Sequence, residues 1–154
     1  MTLLNELPPS SRVWIFKADR FLAEDEISQL QNEIALFMPQ WAAHGKKLYA
    51  AGEIVDALWL VIALDQTKEN ASGCSIDSLT RWINTLEQKW NLSFTNRLLL
   101  AYADQDQIKL APLQNLTQHG LHAQSLVYDD TVQTLGEFFN RKVKAQDCWV
   151  KRFL

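Results

Sequence analysis

The longest apolar run in the chain is Ala57-Leu58-Trp59-Leu60-Val61-Ile62-Ala63-Leu64. It is far shorter than the roughly 20 residues that an α-helix needs to span a bilayer. Because no polar residue interrupts it, the run predicts a strand that is covered on both faces or lies in the middle of a sheet. The flanking residues indicate a hairpin with arms at 47–55 and 58–65 and a turn at Val55-Asp56-Ala57.

Two amphipathic helices flank this hairpin in the sequence. Apolar residues recur at alternating spacings of three and four in two stretches: Ile27, Leu30, Ile34, Phe37 and Trp41, then Ile76, Leu79, Ile83, Leu86 and Trp90. Each set forms one face of an α-helix. The acidic residues Glu24, Asp25 and Glu26 complement the macrodipole at the start of the first helix, and Pro39 is expected to end or kink it.

Two further strands complete the predicted core. Arg12–Lys17 is β-branched and aromatic, which favours a strand, and Arg97–Tyr102 is read as another strand. The order β-α-β-β-α-β predicts an α+β fold, with helices packed on one face of a mixed or antiparallel sheet. The specific expectation is a ferredoxin-like core with a C-terminal extension. A length of 154 residues favours a single domain at 1–154, with an irregular lead-in at 1–10 and a basic tail at 141–154.

The last third of the chain carries weaker patterns. Leu113–His119 is read as a short helix closed by Gly120, and Ser125–Tyr128 as a short strand. Thr131–Asn140 is read as a helix that Asp129 or Asp130 caps.

Composition and charge narrow the class of protein. A formal net charge of −3 argues against the basic footprint of a nucleic-acid binder, so nucleic acid is not an expected partner. An export signal needs an uninterrupted apolar segment, but Glu6, Pro8 and Pro9 interrupt the first residues of this chain. The sequence therefore predicts a cytoplasmic protein without membrane attachment. The two cysteines and three histidines show no metal-ligand spacing, so no metal and no cofactor are expected.

Three segments carry a resemblance: Leu7-Pro8 with Ser11-Arg12-Val13-Trp14-Ile15, then Trp41-Ala42-Ala43-His44-Gly45, then Ala71-Ser72-Gly73-Cys74-Ser75-Ile76-Asp77. Together they resemble a family of short uncharacterised bacterial proteins often labelled "ABC transporter ATPase". The resemblance covers most of residues 5–102, and it implies a bacterial protein without implying an established activity.

ATP hydrolysis of the ABC type requires a glycine-rich Walker A loop that ends in Gly-Lys-Ser/Thr. The nearest stretch is Gly45-Lys46-Lys47, which lacks the hydroxyl residue and has Gln40 where the first glycine belongs. ATPase activity is therefore not expected.

The strongest local signal for chemistry is Ser72-Gly73-Cys74-Ser75-Ile76-Asp77, at the start of the second helix. Unpaired amides at a helix N-terminus attract anions and favour the thiolate form of a cysteine. Cys74 is accordingly a candidate nucleophile, with His44 at the end of the first helix as its candidate base. Candidate ligand-binding residues are Ser72, Gly73, Ser75 and Asp77, together with Asp65 at the end of the buried strand. The same polar residues equally fit a helix cap without further function.

No complete catalytic constellation appears, so the sequence favours a non-catalytic ligand- or protein-binding module. The expected partner is a small anionic ligand or another protein, and a homodimer formed through the sheet or an aromatic face is among the candidates. The alternative is a small thiol-dependent enzyme or redox protein that uses Cys74.

Overall fold

The computed structural model describes residues 3–154, which form three α-helices and nine strands, with every strand pairing antiparallel. The predicted α+β class is confirmed. The chain divides into two compact units: the first comprises the residues up to Thr95 with Gln133–Gly136, and the second comprises Asn96–Val132 with Glu137–Leu154. The single domain at 1–154 stays a prediction. Residues 1 and 2 of the predicted lead-in lie outside the described part, and Leu4–Glu6 within it form a 3₁₀ turn.

The elements of the first unit are, in chain order, β1 (Arg12–Lys17), α1 (Glu24–Phe37), β2 (Ala42–Ala43), β3 (Lys46–Lys47), β4 (Ala50–Val55), β5 (Trp59–Leu64) and α2 (Gly73–Trp90). Its main sheet has the order β1-β5-β4. All six residues of β5 are buried, as the apolar run predicts for a strand in the middle of a sheet.

Helix α1 packs closely on the β4 side of this sheet. Gly52 pairs with Ile62, and a Cβ at Gly52 would lie 2.8 Å from side-chain carbons of both Ile62 and Ile34. The central residues of both apolar stripes are confirmed as buried, namely Leu30 and Ile34 on α1 and Leu79, Ile83 and Leu86 on α2. Trp41, the last member of the first stripe, lies beyond the end of α1.

The hairpin is shorter than predicted on its first arm. Asp56 and Ala57 adopt positive φ, which confirms the turn, but β4 begins at Ala50. Lys46 and Lys47 instead pair with β2 in a separate small hairpin, whose two turn residues are His44 and Gly45. Both have positive φ, the conformation that tight hairpins of this kind require.

The predicted fourth strand of the core does not join the first sheet, which corrects the ferredoxin-like expectation in this detail. The position beside β1 is occupied by Thr134, which forms a single antiparallel bridge with Arg12. The Val13 amide donates to the Gln133 carbonyl at the same place. The split β-α-β arrangement is retained, because β5 lies between β1 and β4.

The second unit holds the sheet β7-β6-β8-β9. Its strands are β6 (Leu99–Asp104), β7 (Gln107–Pro112), β8 (Leu126–Tyr128) and β9 (Lys142–Lys144). The short helix α3 (Leu135–Phe139) lies between β8 and β9 in the sequence, and its first two residues belong to the first unit. The stretch predicted as the fourth core strand is therefore β6. The core of this unit is formed by Leu100, Tyr102, Ala111, Leu116, Leu121, Val127, Ala145 and Val150.

The predicted helix at Thr131–Asn140 is reduced to the five residues of α3, because Gln133 and Thr134 are paired with β1 instead. The predicted cap Asp129 bonds elsewhere. Its carboxylate accepts from the amide and the hydroxyl of Thr131, at 3.0 and 2.5 Å, and from the indole N–H of Trp149 at 3.1 Å. The segment Leu113–His119 forms two 3₁₀ turns instead of one helix, and Gly120 ends the second with φ of 84°. The basic tail is ordered as β9 and a 3₁₀ turn at Trp149–Phe153.

Among residues 3–154, no helix has the length and apolar character needed to cross a membrane.

Candidate functional site

The start of α2 is closed by its own side chains. Ser72 is the N-cap residue, and its Oγ accepts from the Ser75 amide at 3.1 Å. The Oγ of Ser75 accepts from the Ser72 amide at 2.7 Å and donates to the Ser72 carbonyl at 2.8 Å. This reciprocal capping box satisfies amides that an anion would otherwise bind. The hydrogen bonds of both serines thus match the capping alternative.

The other residues of this stretch make fewer contacts. Cys74 and Asp77 are exposed, and no atom lies within 4 Å of the place where a Cβ on Gly73 would stand. Within residues 3–154, neither the thiol of Cys74 nor the carboxylate of Asp77 forms a hydrogen bond.

His44 lies in a different element from the one predicted. Helix α1 ends at Phe37 and is followed by a 3₁₀ turn at Met38–Gln40, where Pro39 prevents a further helical turn. His44 is an exposed residue of the tight turn between β2 and β3, with φ of 51°. Its assignment to a helix C-terminus is therefore wrong. No hydrogen bond joins His44 to Cys74 in the described chain, and their catalytic pairing stays a prediction.

Asp65 follows β5 directly and is only 5% exposed. Its carboxylate accepts from the Thr67 hydroxyl at 2.6 Å and from the Thr67 amide at 3.0 Å. These bonds, chiefly the one from the hydroxyl, hold the pKa of Asp65 below its usual value against the opposing effect of desolvation. The carboxylate thus stabilises a local turn, as side chains of this type do at strand ends.

No group of three or more His, Cys, Asp and Glu side chains within residues 3–154 is arranged to hold a metal ion.

The first unit contains a cleft of about 400 Å³. One wall is Leu7 of the N-terminal segment, and a second is the end of α1 with Ala35, Met38 and Pro39. The third is the chain from Lys47 to Ala50, which connects β3 to β4. Most of this lining is apolar.

Local structure explains how these three segments meet. Because Pro39 ends the helical path and the His44-Gly45 turn reverses the chain, residues 47–50 return to the end of α1. The Leu48 amide donates to the Trp41 carbonyl at 3.1 Å and fixes that return. The Leu4 amide donates to Glu53 Oε1 at 3.0 Å, which holds the segment that carries Leu7 against β4.

Lys47 is the one charged residue of the lining, which contains no acidic side chain. Its neighbour Lys46 interacts instead with Glu69, with Nζ 3.9 Å from Oε2. Tyr49 is about half exposed, and the Nζ of Lys68 lies 4.8 Å from the centre of its ring. Lys47 lines the cleft and Lys68 lies beside Tyr49, but Lys68 also interacts with the Asp65 carboxylate.

The sequence patterns do not predict this cleft. They place residues 47–50 in a strand arm and Leu7 in an irregular lead-in. The available signal was Pro39 followed closely by Gly45, which indicates a chain that leaves a helix and reverses before the next strand.

Comparison with known proteins gives no match: no protein-family model, no curated protein and no solved structure is significantly similar to the chain. The resemblance to the short bacterial proteins labelled as ABC transporter ATPases accordingly stays a prediction.

Proposed function

We propose that the protein is a non-catalytic binding module, and that its first unit binds a small, largely apolar molecule in the cleft between α1, Leu7 and residues 47–50. The observation that carries the proposal is the cleft itself. Small-molecule sites are concave, have volumes of roughly 300–1,000 Å³ and are mainly apolar with a few polar groups. This cleft, at about 400 Å³ with an apolar lining and one lysine, has those properties.

The hydrogen bonds elsewhere in the unit support a binding role over a catalytic one. The hydroxyls of Ser72 and Ser75 and the carboxylate of Asp65 bond to their own local backbone. A nucleophile needs a base within hydrogen-bond reach, and the thiol of Cys74 has no such neighbour among the described residues. The thiol-dependent alternative is tested by cysteine labelling, described in the Discussion.

The proposal is tested with N-phenyl-1-naphthylamine, an uncharged probe whose fluorescence rises in apolar surroundings. Wild-type protein is expected to give a saturable increase with one site per chain. Ala35→Trp places a large ring at the cleft wall and should abolish that increase. Ser28→Trp adds the same ring at another exposed position of α1 and serves as the matched control. Unsaturable binding, or equal binding by the Ala35→Trp variant, contradicts the proposal.

A further inference from the structure

We infer that the ligand of this cleft is an amphipathic monoanion, with an apolar body between α1 and residues 48–50 and one acidic group held by Lys47. The inference rests on the proposed function and adds the chemical class of the ligand.

Charge complementarity selects an anion. Of the eight residues that line the cleft, seven are uncharged and the eighth is Lys47. Lys47 forms no ion pair with any residue from 3 to 154, and no lining carboxylate competes for it. Lys47 is exposed, so water screens its ammonium and the charge favours an anion only modestly. A ligand with an acidic group gains this attraction, and a ligand without one leaves the ammonium to water.

The neighbouring lysine shows that this arrangement is specific to position 47. Successive side chains of a strand point to opposite faces, and in β3 Lys46 lies near Glu69 while Lys47 lines the cleft. The two lysines therefore carry the same charge and lie in the same strand, but one is near a carboxylate and the other lines the cleft. Lys46 provides an internal control for effects of net charge.

Tyr49 is a second lining residue that is able to bind an acidic group. Its phenol is a hydrogen-bond donor within an otherwise apolar lining, and the ammonium of Lys68 is 4.8 Å from its ring centre. Lys47 and Tyr49 both line the cleft, so a carboxylate there has one ammonium and one phenol donor in the same lining. The lone acidic group expected of the ligand matches the single lysine of the lining.

A competing role for Lys47 has to be separated from ligand binding. The cleft includes the last turn of α1, which contains no basic residue of its own. The carbonyl end of a helix is stabilised by a nearby cation, so Lys47 would also fit a purely structural role there. That role would lower stability when the charge is removed, without changing the preference among ligands.

The experiment compares three probes with the same ten-carbon chain: decanoate, decanol and decyltrimethylammonium, each below its micelle concentration. Affinity is read from displacement of N-phenyl-1-naphthylamine at fixed ionic strength. Wild-type protein should bind decanoate about fivefold more tightly than decanol, the upper range for a solvent-exposed ion pair, and the cation most weakly. Lys47→Gln should bring decanoate and decanol within about twofold of each other, while Lys46→Gln should keep the wild-type preference.

Equal affinities for decanoate and decanol in the wild type would overturn the inference, as would a preference for the cation. An unchanged preference in Lys47→Gln would also overturn it, and with a lower free energy of unfolding it would assign the lysine to the helix end. In each of these cases saturable, Ala35-dependent probe binding leaves the proposed function standing. Failure of the uncharged probe itself to bind would instead contradict the proposed function.

Discussion

The indole Nε1–H of Trp41 donates to the main-chain carbonyl of Ser75 across 2.8 Å. This bond joins the segment that follows α1 to the first turn of α2, two stretches separated by 34 positions in the chain. Trp41 is almost fully buried, and its ring contacts Trp14 edge-on with ring centres 5.5 Å apart. The position of the β2–β3 hairpin, and with it one wall of the cleft, depends on this residue.

Trp41→Phe should lower the free energy of unfolding by about 2–3 kcal/mol, since it removes a buried hydrogen bond and part of a tightly packed ring. Urea denaturation measures the loss. Trp82→Phe is the matched control, because the half-buried Trp82 stacks on Phe37 at 4.3 Å and a phenyl ring preserves that stacking. The control should lose less than about 1 kcal/mol. Equal losses in the two variants would show that the bond to Ser75 contributes little.

Gly52 and Gly73 should respond in opposite directions to replacement by alanine. At Gly52 the new methyl would lie 2.8 Å from carbons of Ile34 and Ile62, so α1 has to move and the variant should lose about 1–3 kcal/mol. At Gly73, the first residue of α2, nothing lies within 4 Å, and alanine should add about 0.4–1 kcal/mol. Thermal or urea unfolding compares the two. A neutral Gly52→Ala would mean that the helix–sheet contact is looser than the structure shows.

Local patterns predicted the elements that local physics determines. The uninterrupted apolar run predicted β5, and the three-four spacing predicted α1 and α2. Burial of one or both faces of an element requires apolar residues at a regular spacing, which can be read directly from the sequence. Pro39 correctly predicts the end of α1, but Trp41 continues the helical spacing although the helix ends at Phe37. Trp41 is buried through a different element, and spacing alone does not distinguish the two cases.

Long-range arrangement was the part that the sequence did not reveal. Leu99–Asp104 has the composition of a core strand, and only tertiary pairing decides that it joins β7 and β8 while Thr134 takes the place beside β1. The cleft has the same origin, because its walls come from three segments that no periodic pattern connects. Ser72 and Ser75 could be read as a cap or as a ligand site, and the capping bonds became visible only in the structure.

Two buried serines offer a test of how hydroxyls contribute to stability. The Oγ of Ser11 is buried without a hydrogen-bond partner in residues 3–154, whereas the Oγ of Ser75 takes part in two bonds to Ser72. Ser11→Ala removes an unsatisfied group and should leave stability unchanged or raise it by up to about 1 kcal/mol. Ser75→Ala should lower it by about 1–2 kcal/mol. A substantial loss on Ser11→Ala, measured by urea unfolding, would contradict the assignment of its hydroxyl as unsatisfied.

Glu26 predicts a pH-dependent contribution to stability. The Arg20 guanidinium contacts both carboxylate oxygens at 2.8 Å and the Ala23 amide donates to one at 2.9 Å, which together lower the pKa of Glu26 from 4.5 to about 2. A carboxylate whose pKa is lower in the folded state stabilises the fold above the unfolded pKa. The contribution is therefore complete above about pH 4.5 and is lost as the pH falls through about 2.

The difference in unfolding free energy between wild type and Glu26→Gln should accordingly be constant from pH 7 to about 5 and shrink towards zero at pH 2. Its size should be at most about 1 kcal/mol, because Arg20 is substantially exposed and solvent screens the pair. Glu24→Gln, two residues earlier in the first turn of α1, is the control and should show a much smaller difference. A difference in unfolding free energy that does not change with pH would show that the ion pair is not its source.

The two cysteines distinguish a binding module from a thiol-dependent enzyme. Cys74 is exposed, whereas Cys148 is half-buried and burial raises the pKa of its thiol. Iodoacetamide at pH 8 should therefore modify Cys74 several times faster than Cys148, because only the thiolate reacts. Mass spectrometry follows each site, with Cys74→Ser and Cys148→Ser identifying the peaks. Since the Cys74 thiol has no hydrogen-bonded base, its rate should stay close to that of glutathione, and His44→Ala should leave it unchanged. A rate about a hundredfold above glutathione that falls in His44→Ala would instead favour the thiol-dependent enzyme, because only a positioned base produces that dependence.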